Sequence, residues 1–235
     1  PICIDERDAL KRLGAVADFF LVHDRPIVRQ MDDSIVRVVG GREMVLRGAR
    51  GDAPLPIDCG MDGPAVLALG AHQKNTVALN VDRNVLISQH VGDLETPEAF
   101  SAFRRSVANL TTLYQVEPTE LIADLHPEYL STQYARERGL PLQFVQHHWA
   151  HVCACMAENQ LDGSLLGVAW DGTGFGTDGT IWGGEFLIPC GRTFVRAASF
   201  RPFPLPGGEK AVREPRRSAV GMLAELHGGI LSHAP

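Results

Sequence analysis

The feature that most constrains the fold of this chain is an order of predicted elements that occurs twice. In each copy a short apolar strand leads through a glycine-containing turn into two further strands and then a helix. The first copy has strands at about 65–69, 76–81 and 85–90 and a helix that begins at Thr96-Pro97-Glu98. The second copy starts roughly one hundred residues later, and the two copies share an element order with little sequence identity. Such a repeat predicts two structurally similar halves.

The remaining elements indicate the fold class. Between the copies the pattern predicts a strand at 121–124, a helix at 127–138 that Gly139 ends, a strand at 142–145 and a helix at 147–160. The second copy has strands at 165–170, 180–188 and 193–200, then a helix at 209–226 that Pro215 interrupts. We therefore predict an α/β protein with a duplicated ribonuclease-H-like fold, as in actin-like ATPases, whose second half is incomplete in this sequence.

The segment 1–57 is predicted to be a small α/β piece that precedes this repeat. It contains a helix from Asp5 to Ala17 and two strands joined by Gly40-Gly41, since glycine supplies the positive φ of a hairpin turn. The stretch at 52–64 is rich in proline and glycine, which favours a linker. The predicted organisation is a domain at 1–57, a linker at 58–63 and a larger domain at 64–235.

Composition argues against several classes of protein. The 22 basic and 28 acidic residues give a net charge of −6, which argues against a general nucleic-acid binder. No stretch reaches the roughly 20 apolar residues of a membrane helix, and the N-terminus has no signal-peptide pattern. The five cysteines form no C-x-x-C pair and suggest no disulfide framework. We expect a protein of the reducing cytoplasm that does not bind membranes.

The strongest chemical signal is a group of three histidines at the start of one predicted helix. His147 and His151 are four residues apart, which places them on one helical face with Cβ atoms about 5–6 Å apart. Two imidazoles at that spacing can share one metal ion. The residue after His147 is His148 and not the glutamate of an H-E-x-x-H peptidase, which argues against that activity. The alternative is a set of surface or helix-capping histidines, and the spacing favours a metal site.

A second signal is the run Asp171-Gly172-Thr173-Gly174, which follows a predicted buried strand. We expect a turn here whose backbone N–H groups approach phosphate oxygens, with Asp171 holding a metal ion or a water and Thr173 donating to a phosphate. A plain β-hairpin turn also favours aspartate and glycine, so the sequence leaves both interpretations open.

Two further runs contain residues that suit an anion. Lys74, in the turn after the first strand of the larger domain, offers a compact cation for a phosphate or carbamoyl group. Gly207 and Gly208 open the last predicted helix, where backbone N–H groups can bind an anion. The alternatives are a solvated loop lysine and an ordinary glycine-containing helix entry.

Several longer runs of the sequence carry a family resemblance, and they occur in this order: GAHQKNTVAL, SQHVGDLET, ADLHPEYLSTQYA, QHHWAHVCACMAENQL, GVAWDGTGFGTDGTIWGGEF and RPFPLPGGEKAVREPRRSA. These runs and their order resemble the HypF family of hydrogenase-maturation carbamoyltransferases. This resemblance extends from about Pro64 to the last few residues. The segment from Ala17 to Ile57 resembles the C-terminal piece of the YrdC-like α/β domain that precedes the actin-like domain in the family.

The resemblance implies a two-step activity. In the family, the YrdC-like domain makes carbamoyl-adenylate from carbamoyl phosphate and ATP. The actin-like domain then transfers the carbamoyl group to the C-terminal cysteine of a HypE-type partner, and the group becomes the cyanide ligand of nickel–iron hydrogenases. The resemblance also implies a divalent metal, zinc or iron, at His147 and His151, and Mg²⁺ with ATP. We assign catalytic roles to Lys74 and Asp171. We expect no nucleic-acid partner, except double-stranded RNA by analogy with YrdC-like domains.

Departures from the family pattern leave alternatives open. Ala49 stands where the family has a serine, Trp149 stands where the family has a third histidine, and most of the YrdC-like domain lies outside this sequence. One alternative is a truncated relic without catalytic activity. Another is a relative that acts as an O-carbamoyltransferase or a tRNA threonylcarbamoyl transferase. The YrdC-like segment and the DGTG and LPGG runs favour the HypF type.

The incomplete second half leads to a testable expectation. The predicted second meander lacks the helices that would cover its strands, and exposed apolar faces promote association. We therefore expect the isolated 235-residue chain to be oligomeric or poorly soluble, as measured by size-exclusion chromatography with light scattering. A monodisperse monomer with a sharp, cooperative thermal transition would contradict this expectation.

Overall fold

The computed structural model describes residues 2–60 and 62–229. Its helices are α1 (Glu6–Leu13), α2 (Pro97–Tyr114), α3 (Leu130–Glu137), α4 (His147–Glu158), α5 (Glu209–Arg213) and α6 (Pro215–Leu226). Its strands are β1 (Ile35–Val39), β2 (Arg42–Arg47), β3 (Pro56–Asp58), β4 (Val66–Ala68), β5 (Ala78–Val81), β6 (Asn84–Ile87), β7 (Glu120–Asp124), β8 (Leu142–Val145), β9 (Gly167–Phe175), β10 (Ile181–Cys190) and β11 (Thr193–Ser199). The described residues form two compact units. Unit 1 contains the described residues of 2–163 and also Phe175–Thr180, and unit 2 contains Ser164–Gly174 and residues 181–229.

Unit 1 is built around a six-stranded sheet with the order β3-β6-β5-β4-β7-β8. Strands β4, β5 and β6 form an antiparallel meander, and β7 and β8 continue the sheet in parallel with β4. Helix α3 connects β7 to β8, because a parallel pair needs a crossover. This topology confirms the predicted ribonuclease-H-like half.

A single hydrophobic core joins this sheet to α2. The apolar face of α2 contains Phe103, Val107 and Leu110, and none of these side chains is more than 4% exposed. The same cluster includes strand and loop residues that are almost fully buried: Leu67, Leu69, Val77, Leu79, Leu86 and Leu121. Burial of one leucine or phenylalanine side chain stabilises a fold by about 1.5–3 kcal/mol, so this cluster is the main source of stability in unit 1.

Helix α2 begins where the sequence predicts, and both of its ends are capped. The Thr96 hydroxyl accepts a hydrogen bond from Ala99 N at 3.2 Å. Pro97 is the first helical residue, a position where the missing N–H would have no helical partner. Gln115 ends the helix with a φ of 54°, and its N–H bonds back to carbonyls of the last turn.

The predicted linker at 52–64 contains a strand, which corrects that part of the prediction. Strand β3 pairs antiparallel with residues 84–86 of β6 at the edge of the sheet. Pro56 is compatible with this strand because it is the first residue of an edge strand, where a missing N–H donor is tolerated. The domain boundaries at 57 and 63 stay a prediction.

The N-terminal segment lies in unit 1 and buries little apolar surface. Helix α1 begins after Asp5, whose side chain accepts from Asp8 N at 3.0 Å, and it ends earlier than predicted, at Leu13. Strands β1 and β2 form a separate hairpin closed by Gly40 and Gly41, both with positive φ, as predicted. Every residue of the two strands is exposed.

The loop after β6 joins this N-terminal segment to the sheet. His90 N donates to Gly48 O at 2.9 Å, and three residues later the Asp93 carboxylate accepts from Lys74 N at 2.8 Å. Burial, and then the nearby Arg47 guanidinium, lower the pKa of His90, so this imidazole favours its neutral form. The loop therefore bonds to both the N-terminal segment and the first turn of the sheet.

Unit 2 contains an antiparallel sheet with the order β11-β10-β9, followed by α5 and α6. This order confirms the second meander. Pro215 separates the two helices and occupies the first turn of α6, where its missing N–H is tolerated. Two apolar residues of this unit are exposed, Trp170 of β9 at 75% and Phe200, which follows β11, at 58%. Among the described helices, none has the length and apolar character needed to cross a membrane.

The run Asp171–Gly176 is not the turn that the sequence predicts. Strand β9 continues through most of it, and the chain turns later, where Gly179 has a φ of 77°. Gly172 and Gly174 lie within the strand, and neither has a positive φ. The turn falls later because β10 pairs with β9 and because Asp178 caps the tighter Asp-Gly turn with its carboxylate.

Two close contacts fix β10 against the rest of unit 2. Glu185 is 1% exposed, and Arg196 donates to both of its oxygens at 2.6 and 2.9 Å. The same guanidinium lies 3.9 Å from the ring centroid of Trp182. A buried carboxylate is stable only when paired in this way. A Cβ atom at Gly184 would stand 2.2 Å from the Phe200 ring, so a larger residue there would have to displace that ring.

The cap of α2 gives a stability prediction. We expect Thr96→Ala to lower the free energy of unfolding by about 1 kcal/mol, because the first turn loses its side-chain acceptor. The measurement is the urea midpoint followed by circular dichroism. The control is Thr112→Ala at an exposed position in the last turn of the same helix, where alanine has the higher helix propensity and no loss is expected. Equal losses in the two variants would contradict a specific role of the cap.

Candidate metal centre

Two strand ends and one helix start position the candidate site in unit 1. Strands β7 and β8 pair in parallel with Asp124 opposite Val145, so both end at the same edge of the sheet. Helix α4 begins two residues after Val145, at His147. Functional groups in α/β sheets often lie at this edge, at the carboxyl ends of parallel strands. The fold therefore brings Asp124 beside the first turn of α4.

His147 and His151 meet on one face of α4, as their spacing predicts. Their Nε2 atoms are 3.2 Å apart. Two imidazole nitrogens that bind one tetrahedral zinc ion at about 2.0–2.1 Å stand roughly 3.3 Å apart. The two side chains are therefore already at the spacing of ligands that share an ion, and a divalent metal fits the pair.

Asp124 extends this pair, and sequence reasoning missed it. Its Oδ2 lies 2.7 Å from His147 Nδ1, and its side chain is 5% exposed. The Oδ1 atom accepts a hydrogen bond from His126 N at 2.8 Å, and the backbone carbonyl accepts from the Thr132 hydroxyl at 3.1 Å. In the sequence Asp124 is only the last residue of a predicted strand. One sequence signal could have identified it: Asp124 is a carboxylate at the end of a strand, and the next strand leads directly into the helix that contains the histidines.

Aromatic rings surround the turn after β7. His126 and Tyr129 stack with ring centroids 4.1 Å apart, and Tyr129 also stacks with His72 at 5.5 Å. His126 Nδ1 accepts from Glu128 N at 3.2 Å, which favours the tautomer protonated at Nε2. His72 Nδ1 is buried, and no described residue forms a hydrogen bond with it. These rings tie the loop after β4 to the turn after β7.

Gln146 caps α4 and orients the second histidine of the group. Its Oε1 accepts from Trp149 N at 2.9 Å, and its Nε2 lies 3.1 Å from His148 Nδ1 and 3.3 Å from Phe175 O. His148 is completely buried and Trp149 is 8% exposed. A glutamine therefore provides the cap, and the alternative of surface or capping histidines does not describe His148.

The predicted cation Lys74 is exposed in the loop between β4 and β5. It has a φ of 48°, and the bond from its N–H to Asp93 holds this conformation. The next residue, Asn75, is 1% exposed, and its amide donates to the carbonyls of Leu69 and Ala71 at 2.9 and 2.6 Å. Hydrogen bonds from Lys74 N and from the Asn75 side chain thus fix the loop. The role of the Lys74 ammonium group stays a prediction.

Asp171, Gly172, Thr173 and Gly174 lie in β9, so the predicted turn is wrong, and binding of phosphate by these residues stays a prediction. The cause is the extended backbone, in which successive side chains point to opposite faces. Asp171 and Thr173 are two residues apart and project from the same face of the strand. Their carboxylate and hydroxyl stay candidates for the predicted metal and phosphate contacts, through side chains and not through a turn.

Gly207 and Gly208 open α5 with φ values of 87° and 59°. A Cβ atom at Gly207 would stand 3.3 Å from Arg217 Nη1, so a guanidinium lies against this turn. Arg217 also donates to Glu214 at 3.0 Å. Sequence reasoning did not single out Arg217. Anion binding at the two glycines stays a prediction, and the nearby guanidinium favours it.

Two family models match this chain. Residues 61–158 match the HypF Kae1-like domain, and residues 167–234 match the second subdomain of the carbamoyltransferase Kae1-like domain. The chain is 50% identical over 231 residues to the carbamoyltransferase HypF of Synechocystis sp. and 45% identical over 223 residues to that of Rhizobium leguminosarum bv. viciae. These alignments cover 97% and 95% of this chain and 30% and 29% of the relatives. The chain thus spans less than a third of their length.

Solved structures of HypF proteins have the same fold. The crystal structure of a full-length HypF in the phosphate- and nucleotide-bound form is 42% identical, with a TM-score of 0.90 over 94% of this chain and 35% of that protein. The HypF of T. kodakarensis is 38% identical, with a TM-score of 0.89 over 96% of this chain and 30% of that protein. At these identities the similarity extends to the sequence as well as to the fold.

Proposed function

This chain belongs to the HypF family of carbamoyltransferases, and we propose that it provides part of the metal-dependent carbamoyl-transfer site of such an enzyme. The proposed substrates are carbamoyl phosphate and ATP, joined as carbamoyl-adenylate. The proposed acceptor is the C-terminal cysteine of a HypE-type protein, and the product is the precursor of the cyanide ligands of nickel–iron hydrogenases. The proposed compartment is the reducing cytoplasm, in agreement with the five free cysteines.

The observation that carries this proposal is the convergence of two imidazole nitrogens. His147 Nε2 and His151 Nε2 are 3.2 Å apart, and neutral imidazole is an established ligand of zinc and iron. When bound, the ion would act as a Lewis acid that polarises a carbonyl oxygen. The side chains of the two histidines hold and orient that ion. We assign Asp171 the role of a carboxylate that binds a metal or orients a water.

The nucleotide is proposed to bind through cations, a hydroxyl and a glycine turn. Lys74 offers a compact ammonium group for a phosphate or carbamoyl oxygen, and Thr173 offers a hydroxyl donor. The Gly207-Gly208 turn has the Arg217 guanidinium beside it. Mg²⁺ accompanies the ATP. A nucleotide in this role is supported by the HypF structure that contains phosphate and nucleotide and is 42% identical to this chain.

Metal analysis tests the histidine pair. We expect the purified chain to bind one zinc or iron ion, and we expect His147→Ala/His151→Ala to lose it, because each substitution removes one ligand nitrogen. Elemental analysis after dialysis measures the metal content. The control is His227→Ala, which replaces an exposed histidine after α6 and is expected to leave the metal content unchanged. Metal retained in full by the double variant would contradict the site.

Nucleotide titration separates side-chain binding from backbone binding at β9. We expect Thr173→Val to weaken binding of Mg²⁺-ATP by roughly 10- to 150-fold, since a hydrogen bond to a charged group contributes about 1.5–3 kcal/mol. Isothermal titration calorimetry measures the affinity. The matched control is Gly172→Ala, because a Cβ atom there meets no other atom within 4 Å and the residue has ordinary strand geometry. If Gly172→Ala lowers the affinity for Mg²⁺-ATP and Thr173→Val does not, the nucleotide contacts the backbone of β9 and not the Thr173 hydroxyl.

A further inference from the structure

We propose that Asp124 is a positioning residue of the candidate metal centre, which holds the His147 imidazole in the tautomer whose Nε2 lone pair faces the ion. This inference rests on the metal site proposed above and adds a residue to it. Asp124 acts through the histidine, because its Oδ2 bonds to Nδ1, whereas the ring nitrogen that faces His151 is Nε2.

The position of the Asp124 carboxylate is fixed by contacts that do not involve His147. The residue ends β7 and pairs with Val145 of β8, and its carbonyl accepts from the buried Thr132 hydroxyl. Its Oδ1 accepts from His126 N at 2.8 Å. A carboxylate that is 5% exposed needs hydrogen bonds at both oxygens. With Oδ1 bonded to the His126 amide, Oδ2 is the oxygen directed at the imidazole.

This arrangement determines where the proton of His147 lies. An ionised carboxylate only accepts hydrogen bonds, so Nδ1 of His147 must donate across the 2.7 Å contact. Nε2 of the neutral ring then has no proton, and its lone pair is directed at His151. A metal ligand that binds through Nε2 needs this tautomer, and a carboxylate on the other nitrogen makes the ligand more basic.

The same proton arrangement distinguishes the two histidines. The Nε2 atoms of His147 and His151 are 3.2 Å apart. A hydrogen bond between these two atoms requires a proton on His151 Nε2, because Nε2 of His147 carries the lone pair. An ion that binds both atoms must displace that proton. His151 therefore changes its protonation pattern when metal binds, whereas His147 keeps its own.

Nuclear magnetic resonance of histidine side chains tests the assignment without metal. Long-range ¹⁵N–¹H spectra of the ¹⁵N-histidine-labelled chain are recorded about two units above the ordinary imidazole pKa of about 6.5. We expect His147 to be protonated at Nδ1 and His151 at Nε2. On addition of zinc alone, we expect the His151 pattern to change and the Nδ1 proton of His147 to remain. A metal-free His147 protonated at Nε2 would overturn the inference.

Two substitutions of Asp124 separate a positioning role from a structural one. In Asp124→Asn the amide oxygen is expected to keep the bond to His126 N, so the NH₂ group faces His147 Nδ1 and forces the proton onto Nε2. We expect zinc affinity to fall about 100-fold in Asp124→Asn and about tenfold in Asp124→Ala, where the tautomer is free to adjust. A structural role predicts the opposite order, because asparagine preserves the shape and alanine does not.

A neighbouring substitution serves as the matched control. Thr132→Val removes the hydroxyl bond to the Asp124 carbonyl and leaves the carboxylate in place. We expect this variant to unfold at a lower temperature with unchanged zinc affinity. An equal loss of affinity in Thr132→Val and Asp124→Asn would overturn the positioning role. If His147 has the expected tautomer and the wild-type chain binds no zinc, the proposed metal site fails while the assignment of the Asp124–His147 bond is supported.

Discussion

The register between β7 and β8 is the constraint on which the candidate site depends. In this parallel pair Asp124 lies opposite Val145, and the chain enters α4 two residues later. A slip of the register would carry the carboxylate away from the imidazole and turn it to the other face of the sheet, because side chains alternate along a strand. The 2.7 Å contact between Asp124 and His147 is thus a product of sheet pairing and not of local sequence.

The core behind the sheet holds this register in place. Leu121 and Ala123 of β7 are buried in the hydrophobic cluster that also contains the apolar side chains of α2, so a one-residue slip would move them out of the core. The loop after β4 is held by Asn75 and by the Asp93 carboxylate, which fixes Lys74 at a positive φ. Rigid strands and bonded loops allow a site to hold its geometry before any ligand binds, which lowers the cost of ordering it.

Local sequence patterns predicted most helices and strands of both units. They failed where pairing with a distant strand overrides the turn or linker preference of the local residues. The helix cap at Thr96 and the Gly40-Gly41 hairpin are local signals, and both appear as predicted. The glycines of Asp171–Gly176 resemble a turn, yet β10 pairs with this run and extends it as a strand. Pro56 resembles part of a linker, yet an open sheet edge accepts it as the start of β3.

By itself the sequence determined the two meanders, the family resemblance and the histidine pair, because each depends on residues close together in the chain. A spacing of four residues on a helix brings His147 and His151 together in any tertiary context. Only the tertiary structure decided which further residues join them. Asp124 lies 23 positions before His147, and the parallel pairing of two strands brings its carboxylate to the imidazole. No local periodicity encodes that distance, since it depends on the register between strands and on the core that fixes it.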